Sequence, residues 1–67
     1  MTAAQFERLG ELESQEILSW RFRSLVRSGF EATDAMLLAT HVEVDLHAAD
    51  DLLRRGCPPA TALRILL

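Results

Sequence analysis

A net charge of −3 over 67 residues argues against a nucleic-acid surface built on surplus positive charge, and a single cysteine, Cys57, rules out an internal disulfide. Apolar residues at 49% and charged residues at 25% exclude a disordered chain and place this one among folded globular domains. A domain this short buries only about 60% of its unfolded surface, so the expected supplement is a partner, either a second copy or a larger protein.

The charges fall in blocks. Glu7, Glu11, Glu13 and Glu16 make the start acidic, and Arg21, Arg23 and Arg27 follow. Residues 31–51 carry six acids and no base, and Arg54, Arg55 and Arg64 come last. Blocks of this kind suit docking between neighbouring helices or subunits, or a solvated mixed surface. No apolar run approaches the roughly 18 residues of a membrane span, and Met1-Thr2-Ala3-Ala4 leads straight into polar residues. A lone cysteine fits a reducing compartment, so the expectation is a cytoplasmic protein. The lack of Lys, Asn and Tyr beside abundant Arg, Ala and Leu points to a GC-rich bacterial genome.

Taken in order, Thr2-Ala3-Ala4-Gln5 matches a capping box with Thr2 as N-cap. The helix it opens reaches about Gly10 or continues past it, with Phe6, Leu9 and Leu12 then sharing a face. Ser14 can cap the next helix, whose apolar stripe is Leu18, Phe22 and Leu25, flanked by Ile17 and Val26. Trp20 and the three arginines lie off that stripe. Gly29 suits the left-handed position after the helix, and Phe30 suits the apolar contact that follows it.

Thr33 or Asp34 is the expected start of a third helix with Ala35, Leu38, Ala39 and Val42 on one face. Asp45 is the expected N-cap of a fourth, with Leu46, Ala49, Leu52 and Leu53 inward and Asp50 and Asp51 outward. Arg54 and Arg55 complement its negative end, and Gly56 stops it. Pro59 then opens a short fifth helix over residues 60–67, after the corner Cys57-Pro58. Leu63, Leu66 and Leu67 are expected to close the core, and the apolar run Ile65-Leu66-Leu67 is expected to be buried. The chain divides into an N-terminal helical arm, 1–13, and a helical bundle, 14–67.

Counted from Phe30, residues Ala35, Leu38, Leu46, Ala49, Leu52 and Leu53 sit where a ubiquitin-associated (UBA) domain has its core, and Leu25-Val26-Arg27-Ser28-Gly29-Phe30 resembles that family's first helix and loop. The likeness covers about residues 17–53 and implies a compact three-helix core. In that family the loop and the end of the third helix bind ubiquitin, which maps here onto Gly29, Phe30, Leu52 and Leu53. Ser28 stands where the family has methionine, which removes much of that apolar contact. From Trp20 onward the chain also resembles a group of short actinobacterial proteins of unknown function. The shared features are Trp20-Arg21, Val44-Asp45-Leu46-His47, and Gly56-Cys57-Pro58-Pro59 with Ala62-Leu63-Arg64-Ile65. Leu46 departs from that group's tryptophan.

His47 could ligate a metal with Asp45, His41 or Cys57, yet zinc sites show tighter ligand pairs than this, and a surface or capping role is the simpler reading. Cys57 near a helix start could be reactive, but Pro58 and Pro59 remove the amides that would activate it, which favours a buried residue fastening the helix end. No nucleophile, base and orienting group stand in a recognisable pattern. Helices three and four could be read as a helix-turn-helix, although Asp50 and Asp51 would face phosphates.

These readings converge on an all-α, compact bundle of four to five short helices with a UBA-like three-helix core. The expected function is a non-enzymatic protein-interaction module, an adaptor or homo-oligomerising domain, with no metal or cofactor. Its partner is a protein or a second copy, a homodimer, and the alternative is a small helix-turn-helix-like DNA-binding regulator. The candidate contact residues are Trp20, Arg21, Arg23, Arg27, Gly29, Phe30, Leu52, Leu53 and Leu66. Tryptophan and arginine are over-represented where binding energy concentrates. Trp20 either fills a partner's pocket or packs under the N-terminal arm or the last helix.

Overall fold

A computed structural model of the chain describes every residue from Met1 to Leu67. Five helices follow one another without a strand: α1 (Ala3–Glu7), α2 (Glu11–Ser28), α3 (Ala32–Thr40), α4 (Leu46–Arg54) and α5 (Pro59–Leu66). The expected capping box is formed, with the Gln5 N–H donating to Thr2 Oγ1 at 3.1 Å and the Thr2 N–H to Gln5 Oε1 at 2.9 Å. α1 ends after Glu7 and buries no residue.

α2 opens at Glu11 with Gly10 as its N-cap, ahead of the expected cap at Ser14. The Ser14 hydroxyl instead donates to the Gly10 carbonyl at 3.0 Å. Glu11 and Glu13 in the first turn complement the positive end of the helix, so nothing is lost by starting early. α2 thus runs unbroken across residues 13 and 14, where the sequence suggested a passage from arm to bundle.

Two helices end in the same way. At α2 the Phe30 N–H reaches back to the Leu25 carbonyl and the Gly29 N–H to that of Val26, both at 3.1 Å, with Gly29 at φ 125. At α4 the Cys57 N–H bonds the Leu52 carbonyl at 3.0 Å and the Gly56 N–H that of Leu53 at 3.1 Å, with Gly56 at φ 91. This paired return satisfies carbonyls that the helix leaves open and turns the chain sharply. α3 begins at Ala32 with Glu31 as N-cap, slightly earlier than Thr33 or Asp34, which sit in its first turn. Asp45 caps α4 through Oδ1, which accepts the His47 N–H at 2.9 Å. α5 starts on Pro59 itself rather than on Ala60.

The corners fold α2, α3 and α4 around one core of Leu25, Phe30, Ala35, Leu38, Ala39, Val44, Ala49 and Ala62. Half-buried Leu46, Leu52, Leu53, Leu63, Leu66 and Cys57 pack against it. α2 lies along α3 and against α4, and α5 closes on α4. Phe30 is 3% exposed. Burying a side chain of that size stabilises the fold by roughly 1.5–3 kcal/mol. Phe30 is therefore a core residue and not a contact offered to a partner, because the α2 return turns its ring inward. The expected burial of the last apolar run holds for Leu66 only. Ile65 is 62% and Leu67 53% exposed, since the single turn they occupy presents one side to α4.

Candidate functional site

One charged side chain is buried, and it is one of the candidate contact residues. Arg21 is 6% exposed. Its Nε donates to the Ala39 carbonyl at 3.1 Å, and its Nη2 reaches those of Val44 at 2.9 Å, His41 at 3.0 Å and Leu38 at 3.4 Å. The acceptors are the open carbonyls at the end of α3 and in the bend that leads to α4, where a cation also meets the negative end of the helix dipole. Burial pushes the guanidinium pKa below its ordinary value, and the nearby carboxylates of Glu43 and Asp45 oppose that shift. Arg21 thus fastens α2 to the α3–α4 corner. It is withdrawn from the contact surface, which corrects the expectation that it lies off the buried stripe.

The corner that Arg21 holds forms one side of a groove of about 440 Å³. Ile17 and Trp20 of α2 line it opposite Val44, Leu46 and His47, with Glu43 and Asp45 at the rim. Met1 is the one residue of the arm that lines it. Trp20 is 56% exposed, so neither the arm nor α5 covers its indole. A second depression of about 200 Å³ continues beyond Trp20, Leu46 and His47 to Ser24, Ser28 and Asp50. The groove therefore joins a large exposed aromatic to an apolar floor with a polar edge, the composition of a protein-docking surface.

The other candidate residues separate. Arg23 and Arg27 are exposed on α2, as is Trp20. Gly29 is exposed at the α2 return. Leu52, Leu53 and Leu66 are half-buried against the core with Phe30 and do not line the Trp20 groove. Arg54 and Arg55 pair with Asp50 at 2.6 Å and Asp51 at 2.9 Å, one helical turn back. The Asp50 carboxyl is held below its ordinary pKa chiefly by a hydrogen bond from the Ser28 side chain; partial burial opposes this and Arg54 adds to it. Ser28 and Asp50 line the same depressions, where the end of α2 faces α4.

The groups weighed for chemistry do not assemble. No three side chains of His, Cys, Asp and Glu stand together. His41 places Nδ1 2.8 Å from the Leu37 carbonyl at the end of α3, which makes that nitrogen the proton-bearing one. Cys57 packs against the core as the residue that fastens the α4 return. Glu43, Val44 and Met1 were not singled out from the sequence as groove residues. The sequence signal for Arg21 was its place three residues after Leu18 and four before Leu25, on the apolar stripe itself. Comparison with protein-family models, with curated proteins and with solved structures finds no match for this chain.

Proposed function

We propose that this chain is a small non-enzymatic interaction module that docks a helical protein partner on the face of α2 centred on Trp20. The observation that carries this reading is the Trp20 indole, more than half exposed beside a groove floored by Ile17, Val44 and Leu46. An exposed tryptophan over an apolar floor is the residue class that anchors protein contacts, and truncating such an anchor typically costs 2 kcal/mol or more, about a 30-fold loss of affinity. Arg23 and Arg27, exposed on the same helix, supply charge at the edge of the contact. Arg21 supports it indirectly by fixing the corner that bears Val44 and Leu46.

The distribution of arginine favours a protein partner over a DNA duplex. Arg21 is enclosed by carbonyls, while Arg54 and Arg55 are paired with Asp50 and Asp51. The first turns of α4 would bring carboxylates to the phosphate backbone, which repels them. No helix is long and apolar enough to cross a membrane. Together with the unpaired Cys57 this supports a cytoplasmic location, and the Trp20-Arg21 to Ala62-Leu63-Arg64-Ile65 pattern supports a place among the short actinobacterial proteins that share it. The test is site-specific photo-crosslinking in the native cell. A crosslinker replacing the exposed Ser19 next to Trp20 should give a defined adduct with a polypeptide, and one replacing the exposed Ile65 should not. Equal and diffuse labelling from both positions would refute a docking face on α2.

A further inference from the structure

We propose that the partner seated on the Trp20 face is a second copy of this chain, paired antiparallel through α2 about a two-fold axis beside Trp20. This rests on the reading of that face as a docking surface and names its occupant. Glu13, Glu16, Trp20, Arg23 and Arg27 recur at alternating steps of three and four along α2, which puts all five on one stripe of the helix. All five are exposed. The ion pairs within the chain are Arg54–Asp50 and Arg55–Asp51, so none of the four charges on the stripe is paired at home.

The stripe changes sign at Trp20: two carboxylates precede it and two guanidiniums follow. Antiparallel pairing about Trp20 sets each residue opposite the one equally far on the other side. Glu13 then meets Arg27 of the other copy, Glu16 lies beside its Arg23, and the symmetry repeats both pairs. Parallel pairing would bring like charges together and is repelled. The arrangement is self-complementary, as a two-fold interface requires. From Glu13 to Arg27 it spans about 21 Å at 1.5 Å per residue, with the two indoles meeting at its centre beside the Ile17 and Leu46 walls. The helix dipole also favours acids early and bases late, but its influence fades within the first and last turns. Glu16 and Arg23 lie in the interior of α2, and the dipole does not account for an exposed tryptophan midway between them.

Sedimentation equilibrium on the full chain tests this, with wild type, Glu13→Arg, Arg27→Glu, the double variant, and Trp20→Ala, each checked for helicity by circular dichroism. Wild type should pass from 7.5 kDa to twice that mass as concentration rises. Each single reversal should weaken self-association about tenfold or more, since like charges brought together cost several kcal/mol. The double variant, in which both pairs are restored with exchanged signs, should recover the wild-type constant to within about threefold, and Trp20→Ala should remain monomeric. A wild type that stays at 7.5 kDa, or a dimer indifferent to the reversals, or a double variant no better than the singles, overturns the proposal. A wild type that stays monomeric while a crosslinker at position 19 still captures another polypeptide overturns the second copy and leaves the docking face in place.

Discussion

Replacing Arg21 by methionine keeps an unbranched apolar stem in the same channel and removes the guanidinium. Three of its acceptors, the carbonyls of Val44, His41 and Ala39, lie within 3.1 Å. A hydrogen bond to a charged group contributes about 1.5–3 kcal/mol net, so three would give roughly 4.5–9 kcal/mol if they were additive. Two effects reduce this. The methionine variant no longer holds a cation out of water, a burden of several kcal/mol, and the half-buried His41 carbonyl regains solvent. The balance is a loss of about 3 kcal/mol, at the lower end of what removing one partner from a buried charged contact costs. A chain of this size has about 3–10 kcal/mol of total stability, so the variant sits near the edge of folding, with Tm lowered by about 12–24 °C. Urea and thermal unfolding followed by circular dichroism would measure it, with Arg23→Met as the exposed control, expected within about 0.5 kcal/mol of wild type. Arg21→Lys should fall between the two, because a single ammonium cannot span carbonyls as a planar fork does. Equal unfolding midpoints for Arg21→Met and Arg23→Met would refute the claim that Arg21 fastens the α3–α4 corner.

Gly29→Ala should destabilise by about 1–2 kcal/mol in urea unfolding, from its left-handed backbone together with a new Cβ 3.4 Å from Leu53 Cδ1. Gly56→Ala should cost about 1 kcal/mol, the backbone part alone, since that Cβ meets nothing within 4 Å. Folding lowers the Asp50 pKa, so its contribution is present above the ordinary value of 3.8 and is lost as pH falls through the lower folded value. Asp50→Asn should therefore flatten the acid limb of a stability-against-pH curve, and Ser28→Ala should flatten it in part. Asp45→Ala removes the α4 cap and should lower stability by about 1 kcal/mol by the same unfolding assay. Trp20→Ala, measured at a concentration where the chain is monomeric, should leave the unfolding free energy within about 0.5 kcal/mol of wild type.

The parts of the fold that short-range chemistry dictates were legible in the chain. The Thr2–Gln5 box, the Asp45 cap, the Gly29 and Gly56 returns and Pro59 in the first turn of α5 each depend on a few consecutive residues. They appear where composition placed them. Starts without a side-chain cap were less legible: Gly10 and Glu31 open α2 and α3 with no side-chain bond to mark them. Arg21 was misplaced because residue type was weighed above position. Leu18, Arg21 and Leu25 keep helical spacing, and a charged residue on an apolar stripe reads as a fault until its acceptors are known. Those acceptors are backbone carbonyls 17 to 23 residues away, and carbonyls carry no sequence signature. Trp20 stood out in the sequence as a candidate contact residue, but the groove beside it needs Val44 of the α3–α4 bend and Leu46 at the start of α4 brought across, which only the closed corner achieves.

The core also explains why so much depends on that corner. Ala35, Ala39, Ala49 and Ala62 are all within 1% of complete burial, while Trp20, Leu12, Met36 and Ile65 remain more than half exposed. Small side chains let α2, α3 and α4 approach closely, but each removes little apolar surface from water. At about 25 cal/mol per Å², such a core yields less than one built from leucine and phenylalanine throughout. Leu25, Leu38 and Phe30 carry the larger share, and Arg21 adds directional bonds where α3 ends and no apolar residue could satisfy the carbonyls. The large apolar groups left outside are those a second surface could still bury. A chain whose interior is filled with alanine and whose tryptophan faces solvent keeps part of its apolar material outside its core. In the proposed dimer, the sign reversal along α2 supplies what non-directional burial lacks, a defined register.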